Sequence, residues 1–425
     1  MSSDPDSGAT SRRRWRRLVV DTAPLRHRHF RRLWLSTVVT TVGAQLTAVA
    51  VPKQIFDDTG SSSYVGLSGA VALVPLAFFA LWGGSIADAV DRRRMLLLTN
   101  SGIALTSLAL FTQAALGNRQ VWVVLVLLAV QQAFFGLNSP ARGATVPRLV
   151  PAAELPAANA LSSTVFGLGA VMGPLLAGAL IPVIGLPRLY LIDSVLLLAA
   201  LYAVFRLPPL PTSSDGAARR ATGVRSVTEG LRYISLHQVL LVSFLADVIA
   251  MVLGMPRALF PELAQNAFPG DRPGLALGVL FASIPAGSFA AGLLSGTFTR
   301  LRRQGAAVTL AVGSWGLAMV GFGLSRSLWL AALMLAVGGA ADLVSMVFRS
   351  AMLQTVATDE MRGRMQGVYF IVVAGGPRLA DLLHGTMGDV LGARAAVVWG
   401  GALVVVAITV VAVVFRDFWR YRLAY

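Results

Sequence analysis

Cysteine is absent from the 425-residue chain, and lysine occurs only once, as Lys53. Without cysteine, the protein cannot form disulfides or a metal site that uses thiolate ligands. Lys53 is followed by Gln54, so the phosphate-binding motif G-x-x-x-x-G-K-[ST] cannot be written in this sequence. Direct use of ATP by this chain alone is therefore excluded. Neither a hydrolase elbow nor a paired-carboxylate loop is present to indicate an enzyme.

Charged residues are also scarce, at 13% of positions, whereas soluble globular proteins carry about a quarter. Hydrophobic residues make up 56% and form long runs, for example at 121–135 and 395–415. These runs approach the roughly 20 residues that an α-helix needs to cross the hydrocarbon core. Because backbone groups in lipid must bond within their own helix, the runs predict an all-α membrane bundle.

The predicted fold class is an all-α polytopic membrane protein with 12 transmembrane helices in two six-helix halves. A stretch at 208–225 is rich in Pro, Ser, Gly and Arg, so it separates the sixth span from the seventh. The spans are expected at about 31–56, 64–87, 94–116, 121–141, 157–182, 188–207, 238–262, 274–298, 305–325, 327–350, 365–387 and 394–415. The expected domains are a cytoplasmic basic tail, the first half, a cytoplasmic linker, the second half and a C-terminal cytoplasmic tail, at 1–30, 31–207, 208–237, 238–415 and 416–425.

The basic residues are distributed unevenly about these spans, although the formal net charge is +16. Of the 36 Lys and Arg residues, 27 fall in the tails and loops of one face or at the span ends that adjoin them. By the positive-inside rule, this face is cytoplasmic. The charge therefore indicates topology and contact with anionic lipid, and nucleic acid is not an expected partner. We expect a multi-pass protein of a bacterial plasma (inner) membrane with both termini cytoplasmic.

The two halves carry matching sequence patterns. A glycine-to-arginine pattern begins at Gly84 after the second span and again at Gly292 after the eighth. Weak similarity between six-span halves is typical of a duplicated transporter fold whose substrate site lies between the halves.

The segment 83–94 carries the most specific motif. Its Gly84, Asp88, Arg92 and Arg93 resemble the signature G-x-x-x-D-x-x-G-R-R of the major facilitator superfamily, with Asp91 where the family has glycine. The resemblance implies a cytoplasmic gate loop, in which the carboxylate pairs with arginine or caps a helix and releases during the cycle. The alternative is an ordinary charged loop that obeys the positive-inside rule.

The fifth span carries a second motif, formed by Gly169, Gly173, Pro174 and Gly178. It resembles the element G-x-x-x-G-P-x-x-G-G of facilitator-type antiporters, with Ala177 in place of one glycine. That resemblance favours export by antiport. Generic small-residue packing is the alternative.

Longer segments at 50–69, 256–264 and 351–369 resemble the enterobactin-exporter branch of this superfamily, which also contains drug:proton antiporters. The resemblance implies the major facilitator fold, alternating access and export of a siderophore- or drug-like small molecule. It also implies that inward proton flow drives export, with no cofactor.

Several charged residues lie inside the predicted spans, where charge is costly and should face the bundle interior in pairs. We expect Asp247 and Asp342 to be the proton-coupling acids, with Arg257 and Arg349 nearby. Arg378 and Asp381 are expected to form a structural ion pair that His384 follows on one helix face. Asp193 follows Arg188 and is expected to form an interfacial pair. Static ion pairs that orient helices are the alternative for each acid.

The substrate cavity is expected between the halves, along spans 1, 4, 7 and 10, as the family resemblance implies. Its predicted polar and sulfur-bearing lining residues are Gln45, Gln131, Gln132 and Met251. The four histidines are not clustered with carboxylates, so no metal site is expected. The expected partners are a small-molecule substrate, protons and membrane lipid, bound by a monomer.

Two other functions fit the same sequence features. The first is a proton-coupled or facilitative uptake permease, and the second is a non-transporting receptor on the same scaffold. Energised everted vesicles separate export from uptake, because only an exporter accumulates substrate inside them. A receptor reconstituted in liposomes should move nothing.

Replacing the gate-loop carboxylate by an amide of the same size tests the predicted gate. Asp88→Asn is expected to cripple transport and to leave membrane insertion intact, because the loop loses charge but not volume. Transport in proteoliposomes and the amount of protein in the membrane are the measurements. Wild-type transport by the inserted variant would contradict the gate role of Asp88.

Overall fold

The computed structural model describes residues 21–209 and 224–422, except the side chains at 81–89, 224–227, 359–360, 362–364, 366–367 and 370–371. Most of the predicted N-terminal tail and the centre of the predicted linker lie outside these residues. The described chain is built from α-helices and short 3₁₀ turns, and it contains no strand beyond one isolated bridge between Arg303 and Arg422. The all-α fold class is confirmed.

Five helices make up the N-terminal half. They are α1 Arg28–Thr59, α2 Ser62–Ala89, α3 Arg92–Ala115, α4 Val121–Thr145 and α5 Leu155–Phe205. The last of these has 51 residues and contains two helical arms, because Gly185 adopts φ 76° and ψ 165° and interrupts the helix. Gly185 can take this conformation since it has no side chain. The arms at 155–184 and 186–205 correspond to predicted spans five and six.

Nine helices follow the linker. They are α6 Val224–Leu236, α7 Gln238–Gly254, α8 Phe260–Asn266, α9 Pro273–Leu293, α10 Gln304–Leu324, α11 Leu328–Val356, α12 Asp359–Leu391, α13 Ala393–Val414 and α14 Arg416–Arg420. The helix α6 lies within the predicted linker 208–237.

In the described part of the chain, ten helical segments are long and apolar enough to cross a membrane. The predicted count of twelve is reached only by dividing α5 at Gly185 and by adding α12, which has 33 residues. The charges of α12, among them Arg378 and Asp381, set it apart from the more apolar segments.

The predicted span at 238–262 is not one continuous helix. The helix α7 ends at Gly254, and a 3₁₀ turn at Arg257–Leu259 precedes α8. Pro256 causes the break, because proline lacks the N–H that would continue the helix and disfavours helical geometry at the residue before it. Arg257 therefore lies in a 3₁₀ turn rather than within an α-helix, contrary to the prediction.

Each half is a bundle with its own contacts. In the N-terminal half α5 packs against α1 and α3, while α4 packs against α2 and α3. In the C-terminal half α10 packs against α11 and α13, and α9 packs against α11. The indole Nε1 of Trp315 donates to the Ala250 carbonyl at 3.0 Å, which joins α10 to α7 in the largest core.

The two most extensive helix contacts between the halves are α2 with α12 and α5 with α9. In both pairs the two helices approach closely, because glycines of one helix face glycines or backbone atoms of the other. A side chain at Gly178 would collide with Gly274 and Gly278 of α9, and one at Gly66 would collide with the Asp381 carbonyl of α12. All four lie near the membrane face where α2 and α9 begin, which is the outer face in the predicted topology.

The α5–α9 contact gives a matched pair of tests on one helix. Gly178→Ala places a methyl group against the α9 backbone, so it should lower the melting temperature of the purified protein and reduce transport. The expected cost is of the order of 1–3 kcal/mol, as for other overpacked sites. Gly167→Ala is the control, because its Cβ would make only an ordinary contact with Phe289 at 3.5 Å. Equal melting temperatures for the two variants would contradict a tight α5–α9 contact.

Candidate functional site

Three of the predicted charged residues meet inside the C-terminal half. Asp247 lies on α7, and Asp342 and Arg349 lie two turns apart on α11, the helix that packs beside it. One guanidinium nitrogen of Arg349 contacts Asp247 Oδ1, and the other is 3.8 Å from Asp342 Oδ1. The Arg349 and Asp247 side chains are 4% and 3% exposed, whereas Asp342 is 24% exposed. We call these three residues the carboxylate–arginine cluster.

The cluster contains one cation for two carboxylates. Burying a charge away from water is costly unless it is paired, and one guanidinium in close contact with Asp247 compensates Asp342 only weakly. Asp247 Oδ2 and Arg349 Nε also lack hydrogen-bond partners among the described atoms. The cluster therefore buries more carboxylate charge than its single arginine compensates.

Arg378 and Asp381 do not form the direct ion pair that their spacing predicts. Arg378 reaches across to the other half, where Nη2 donates to Gln132 Oε1 at 3.1 Å, and its Nη1 donates to the Ala374 carbonyl. Asp381 packs instead against Gly69 on α2. The two side chains diverge because they meet different helices of the N-terminal half, and they interact only through longer-range electrostatics.

Arg257 lies close enough to both residues to act on them electrostatically, although it was predicted beside the coupling acids. Its guanidinium also lies 5.8 Å from the ring centroid of Phe281. These contacts place Arg257 with Arg378 and Asp381 at the junction of the halves, and the carboxylate–arginine cluster lies apart from them.

His384 is not a member of an ion-pair network. Its Nε2 lies 3.0 Å from the Leu253 carbonyl, and its ring packs on Gly400. His384 therefore ties α12 to the last turn of α7. No group of three or more His, Asp or Glu residues that could hold a metal is found in the described ranges.

The four predicted cavity residues have separate surroundings. Gln132 contacts Arg378, and Met251 packs against Gly376 of α12, so both face the other helices of the junction. Gln45 packs against Gly173 of the antiporter-type motif. Gln131 is buried and donates to Ser107 Oγ at 3.0 Å. The prediction that Gln131 lines the cavity is wrong, because its side chain points into the N-terminal half.

The gate loop is described only in part. The side chains of Gly84 and Asp88 lie outside the described residues. Asp91 caps α3, since its Oδ1 accepts from the Arg94 N–H at 3.0 Å. The family glycine is thus replaced by a residue that stabilises the next helix.

The two gate-loop arginines follow Asp91 at the start of α3. Arg92 and Arg93 are both half-buried. Arg93 Nη2 donates to the Phe205 carbonyl at 2.7 Å, so this guanidinium binds the end of α5 within its own half.

The glycines of the antiporter-type motif pack against two different helices. Gly169 and Gly173 face Thr41 and Gln45 of α1, whereas Gly178 faces α9 of the other half. The carbonyl of Pro174 also lies beside Gly278. This side of α5 therefore connects a helix of its own half with a helix of the opposite half.

The surroundings of Asp193 and Arg142 differ from those predicted from the sequence. Asp193 is 2% exposed and accepts from Thr47 Oγ1 at 2.8 Å and from Ser107 Oγ at 2.6 Å. Arg188 donates to the Ile184 carbonyl, so the predicted Arg188–Asp193 pair is wrong. The sequence signal for the burial of Asp193 was Gly185, because the second arm of α5 begins after it. Asp193 lies two turns into that arm.

Arg142 was counted as a loop residue. The helix α4 continues to Thr145, so Arg142 lies in its last turn. Its Nη1 donates to Thr37 Oγ1 at 2.7 Å and its Nε to Asn138 Oδ1 at 3.3 Å. Arg142 therefore ties α4 to α1 inside the N-terminal half.

A single carboxylate joins the halves where α2 begins. Asp389 of α12 accepts from the N–H groups of Ser62 and Ser63 at 2.8 and 3.1 Å, and from the hydroxyl of Ser61. A negative charge at a helix N-terminus is stabilised by the unpaired N–H groups and the helix dipole. We call these four residues the outer latch.

Two further hydrogen bonds cross between the halves beside the latch. Ser62 Oγ donates to Glu262 Oε2, and Gln265 Nε2 donates to Asp57 Oδ1, both at 2.6 Å. Asp389 itself lies beyond the predicted span 365–387. Partial burial acts to raise the pKa of Asp389, but the hydrogen bonds from Ser61, Ser62 and Ser63 outweigh it and lower that pKa below its ordinary value.

Comparison with known proteins identifies the family. The model of the transmembrane secretion effector family matches residues 20–418. The chain belongs to this family. The enterobactin exporter EntS of Shigella boydii serotype 18 is 30% identical over 374 residues, and that of Escherichia coli O81 is 29% identical; each match covers 86% of both proteins.

Solved structures show that this secretion effector has the major facilitator fold. A bacterial homolog of the human lysosomal transporter Spinster, in an inward-facing and unoccupied conformation, aligns with a TM-score of 0.74, 16% identity and coverage of 95% of this chain and 100% of that one. The nucleoside transporter NupG aligns with a TM-score of 0.76, 12% identity and coverage of 93% and 100%. The protein is a membrane transporter of this superfamily.

Removing the latch carboxylate should open the outer end of the transporter. Asp389→Ala is expected to increase labelling of a cysteine introduced at Val65, a buried position of α2, by an impermeant maleimide. Thr386→Ala is the control, because the Thr386 hydroxyl donates only to carbonyls of its own helix. Labelling that is equal in the two variants would contradict a role of Asp389 in closure.

The same assay has a defined pH dependence. A carboxylate whose pKa is lowered in the closed state stabilises that state above its ordinary pKa, and the stabilisation is lost as the pH falls through the lowered value. Labelling of the otherwise wild-type protein should therefore stay constant near neutral pH and rise only below about pH 4.

Proposed function

We propose that this transporter exports small siderophore- or drug-like molecules across the plasma membrane in exchange for protons. The carboxylate–arginine cluster is the observation that carries the proton coupling, because its two acids share one arginine. The similarity to enterobactin exporters supports the direction and the substrate class.

Within the cluster we assign the exchangeable proton to Asp342. Asp247 is in close contact with Arg349, so the guanidinium compensates its buried carboxylate directly. Asp342 is 3.8 Å from the same guanidinium and more exposed. Water and protons therefore have better access to Asp342 than to Asp247. Arg349 also compensates the charge of Asp342 less than that of Asp247. When Asp342 takes up a proton, Arg349 is left with Asp247 as its sole ionised partner in the cluster.

The contacts between the halves support alternating access. At the outer end they consist of glycine faces and hydrogen bonds, with little interlocking of large side chains. Such contacts can separate without repacking either core, so the halves can rock as units. We assign the cytoplasmic gate to Gly84, Asp88, Arg92 and Arg93.

The substrate is proposed to bind between the halves, near Gln132, which bonds to Arg378 of the opposite half, and near Met251 and Gln45. A mainly apolar surface with few polar groups suits a hydrophobic or amphipathic molecule. The transporter is proposed to act as a monomer with both termini in the cytoplasm, surrounded by lipid and requiring no cofactor.

Neutralising the acids one at a time tests the assignment. Asp342→Asn is expected to abolish substrate-driven proton movement in proteoliposomes while substrate exchange down its own gradient persists, because the amide cannot carry a proton. Asp247→Asn should impair both, since it leaves the buried Arg349 without its close partner. Asp417→Asn, at an exposed carboxylate of α14, is the control.

Three outcomes would contradict the proposal. Full proton coupling in Asp342→Asn would exclude this residue as the carrier. Loss of coupling only in Asp381→Asn would move the proton site to the junction of the halves. Substrate efflux from energised everted vesicles, instead of accumulation inside them, would show uptake as the physiological direction.

A further inference from the structure

The N-terminal half buries a carboxylate that the proposed coupling mechanism does not use. Asp193 lies on the second arm of α5, between α1 and α3, and both helices direct hydroxyl groups at it. Thr47 Oγ1 and Ser107 Oγ both donate to Oδ2. The other oxygen, Oδ1, has no hydrogen-bond partner in the described chain and lies against Gly43, where any side chain would overlap it.

Among the residues that the structure describes, no cation is paired with this carboxylate. The elements that pack around it are α1, α3 and α5, with α4 behind Ser107. On α1 the nearest cation is Lys53, six residues or roughly 9 Å along the helix from Thr47. On α3 the arginines lie at the first turn, far from Ser107. The remaining charged or titratable groups bond elsewhere: Lys53 with Asp57, Asp58 with Gln54, Arg142 with Thr37, Arg188 with Ile184 and Tyr190 with Gln54.

An ionised carboxylate in this position would leave half of its charge without a donor. The site supplies two hydroxyl donors to one carboxylate oxygen and no cation, so it compensates an ionised carboxylate only in part. A neutral carboxylic acid fits the same site with less desolvation cost. The hydroxyls can also reorient, because each can donate or accept, so the site can accommodate both forms.

A chain of contacts connects this carboxylate to the junction of the halves. Ser107 Oγ, which donates to Asp193, accepts from Gln131 Nε2 at 3.0 Å. The next residue on α4, Gln132, faces the opposite way and accepts from Arg378 of the other half. Of two consecutive residues of one helix, Gln131 thus bonds to the serine that holds the buried acid, and Gln132 bonds to the opposite half. Separation of the halves at Arg378 breaks the bond to Gln132, so this turn of α4 can shift locally against Ser107 while the helix stays packed on α2 and α3.

From this arrangement we infer that Asp193 is a second proton-binding site, located in the N-terminal half. Its carboxylic acid holds a proton while Arg378 bonds to Gln132. It releases the proton to water when the halves separate and α4 shifts against Ser107. The inference rests on the proposed proton exchange and adds to the carboxylate–arginine cluster a site on the other side of the transporter.

The proton can be observed directly in the purified protein without substrate. The Asp342→Asn variant is the background, because Asp342 is the other proposed proton site and would contribute a band of its own. Infrared difference spectra of this variant in lipid nanodiscs, between neutral and alkaline pH, should show a carboxylic-acid carbonyl band. Adding Asp193→Asn is expected to remove this band. Adding Ser194→Ala, a buried hydroxyl deletion at the next position, is the control and should keep it. A band that persists after Asp193→Asn is added would overturn the inference.

A second variant covers the case in which Asp193→Asn does not fold. Ser107→Ala, added to the same background, removes one of the two donors that stabilise the carboxylate, so the band should vanish at a higher pH than in Asp342→Asn alone. An unchanged titration after Ser107→Ala is added, or a band in Asp342→Asn that never titrates, would overturn the inference.

Proton counting in proteoliposomes separates this inference from the proposed function. Asp193→Asn should exchange fewer protons per substrate than the wild type and still transport. An unchanged proton-to-substrate ratio would make Asp193 a purely structural acid and overturn the inference. A wild-type protein that moves no protons while the Asp193 band still titrates would overturn the antiport proposal and leave Asp193 as a proton-binding site.

Discussion

The cost of holding charge away from water determines how this transporter is assembled. Several buried ionic groups are found where another helix supplies a partner. Arg349 meets carboxylates from α7 and from its own helix, and Arg142 meets Thr37 of α1. Because these partners come from different helices, each contact fixes the position of one helix against another. The same contacts concentrate protonatable groups inside the bundle, where a transporter can use them.

The two halves compensate their buried carboxylates in different ways. The C-terminal half compensates two acids with one arginine, whereas the N-terminal half surrounds a lone acid with hydroxyl and amide groups. The first arrangement depends on electrostatic attraction and the second on hydrogen bonds alone. Between them lies the junction of Arg378 and Gln132, the contact through which a change in one half can reach the other.

Much of the fold could be predicted from the sequence, because hydropathy and helix length are local properties. The break at Gly185 and the helix α6 before span seven follow from local glycine and amphipathic patterns. Side-chain partners could not be predicted in the same way. The spacing of Arg378 and Asp381 places them on one helix face, but each side chain follows a different neighbouring helix. Asp193 was misjudged for the same reason, since its partners are more than 80 residues away in sequence.

The outer latch has a consequence for how the outer entrance responds to force. The carboxylate of Asp389 accepts all three hydrogen bonds. All three donors lie at the N-terminal end of α2. A small rotation of α12 therefore misaligns every bond together, because none can lengthen independently of the others. The latch should therefore open abruptly, in a single step. Thermal motions of α12 that are smaller than this rotation should leave it closed.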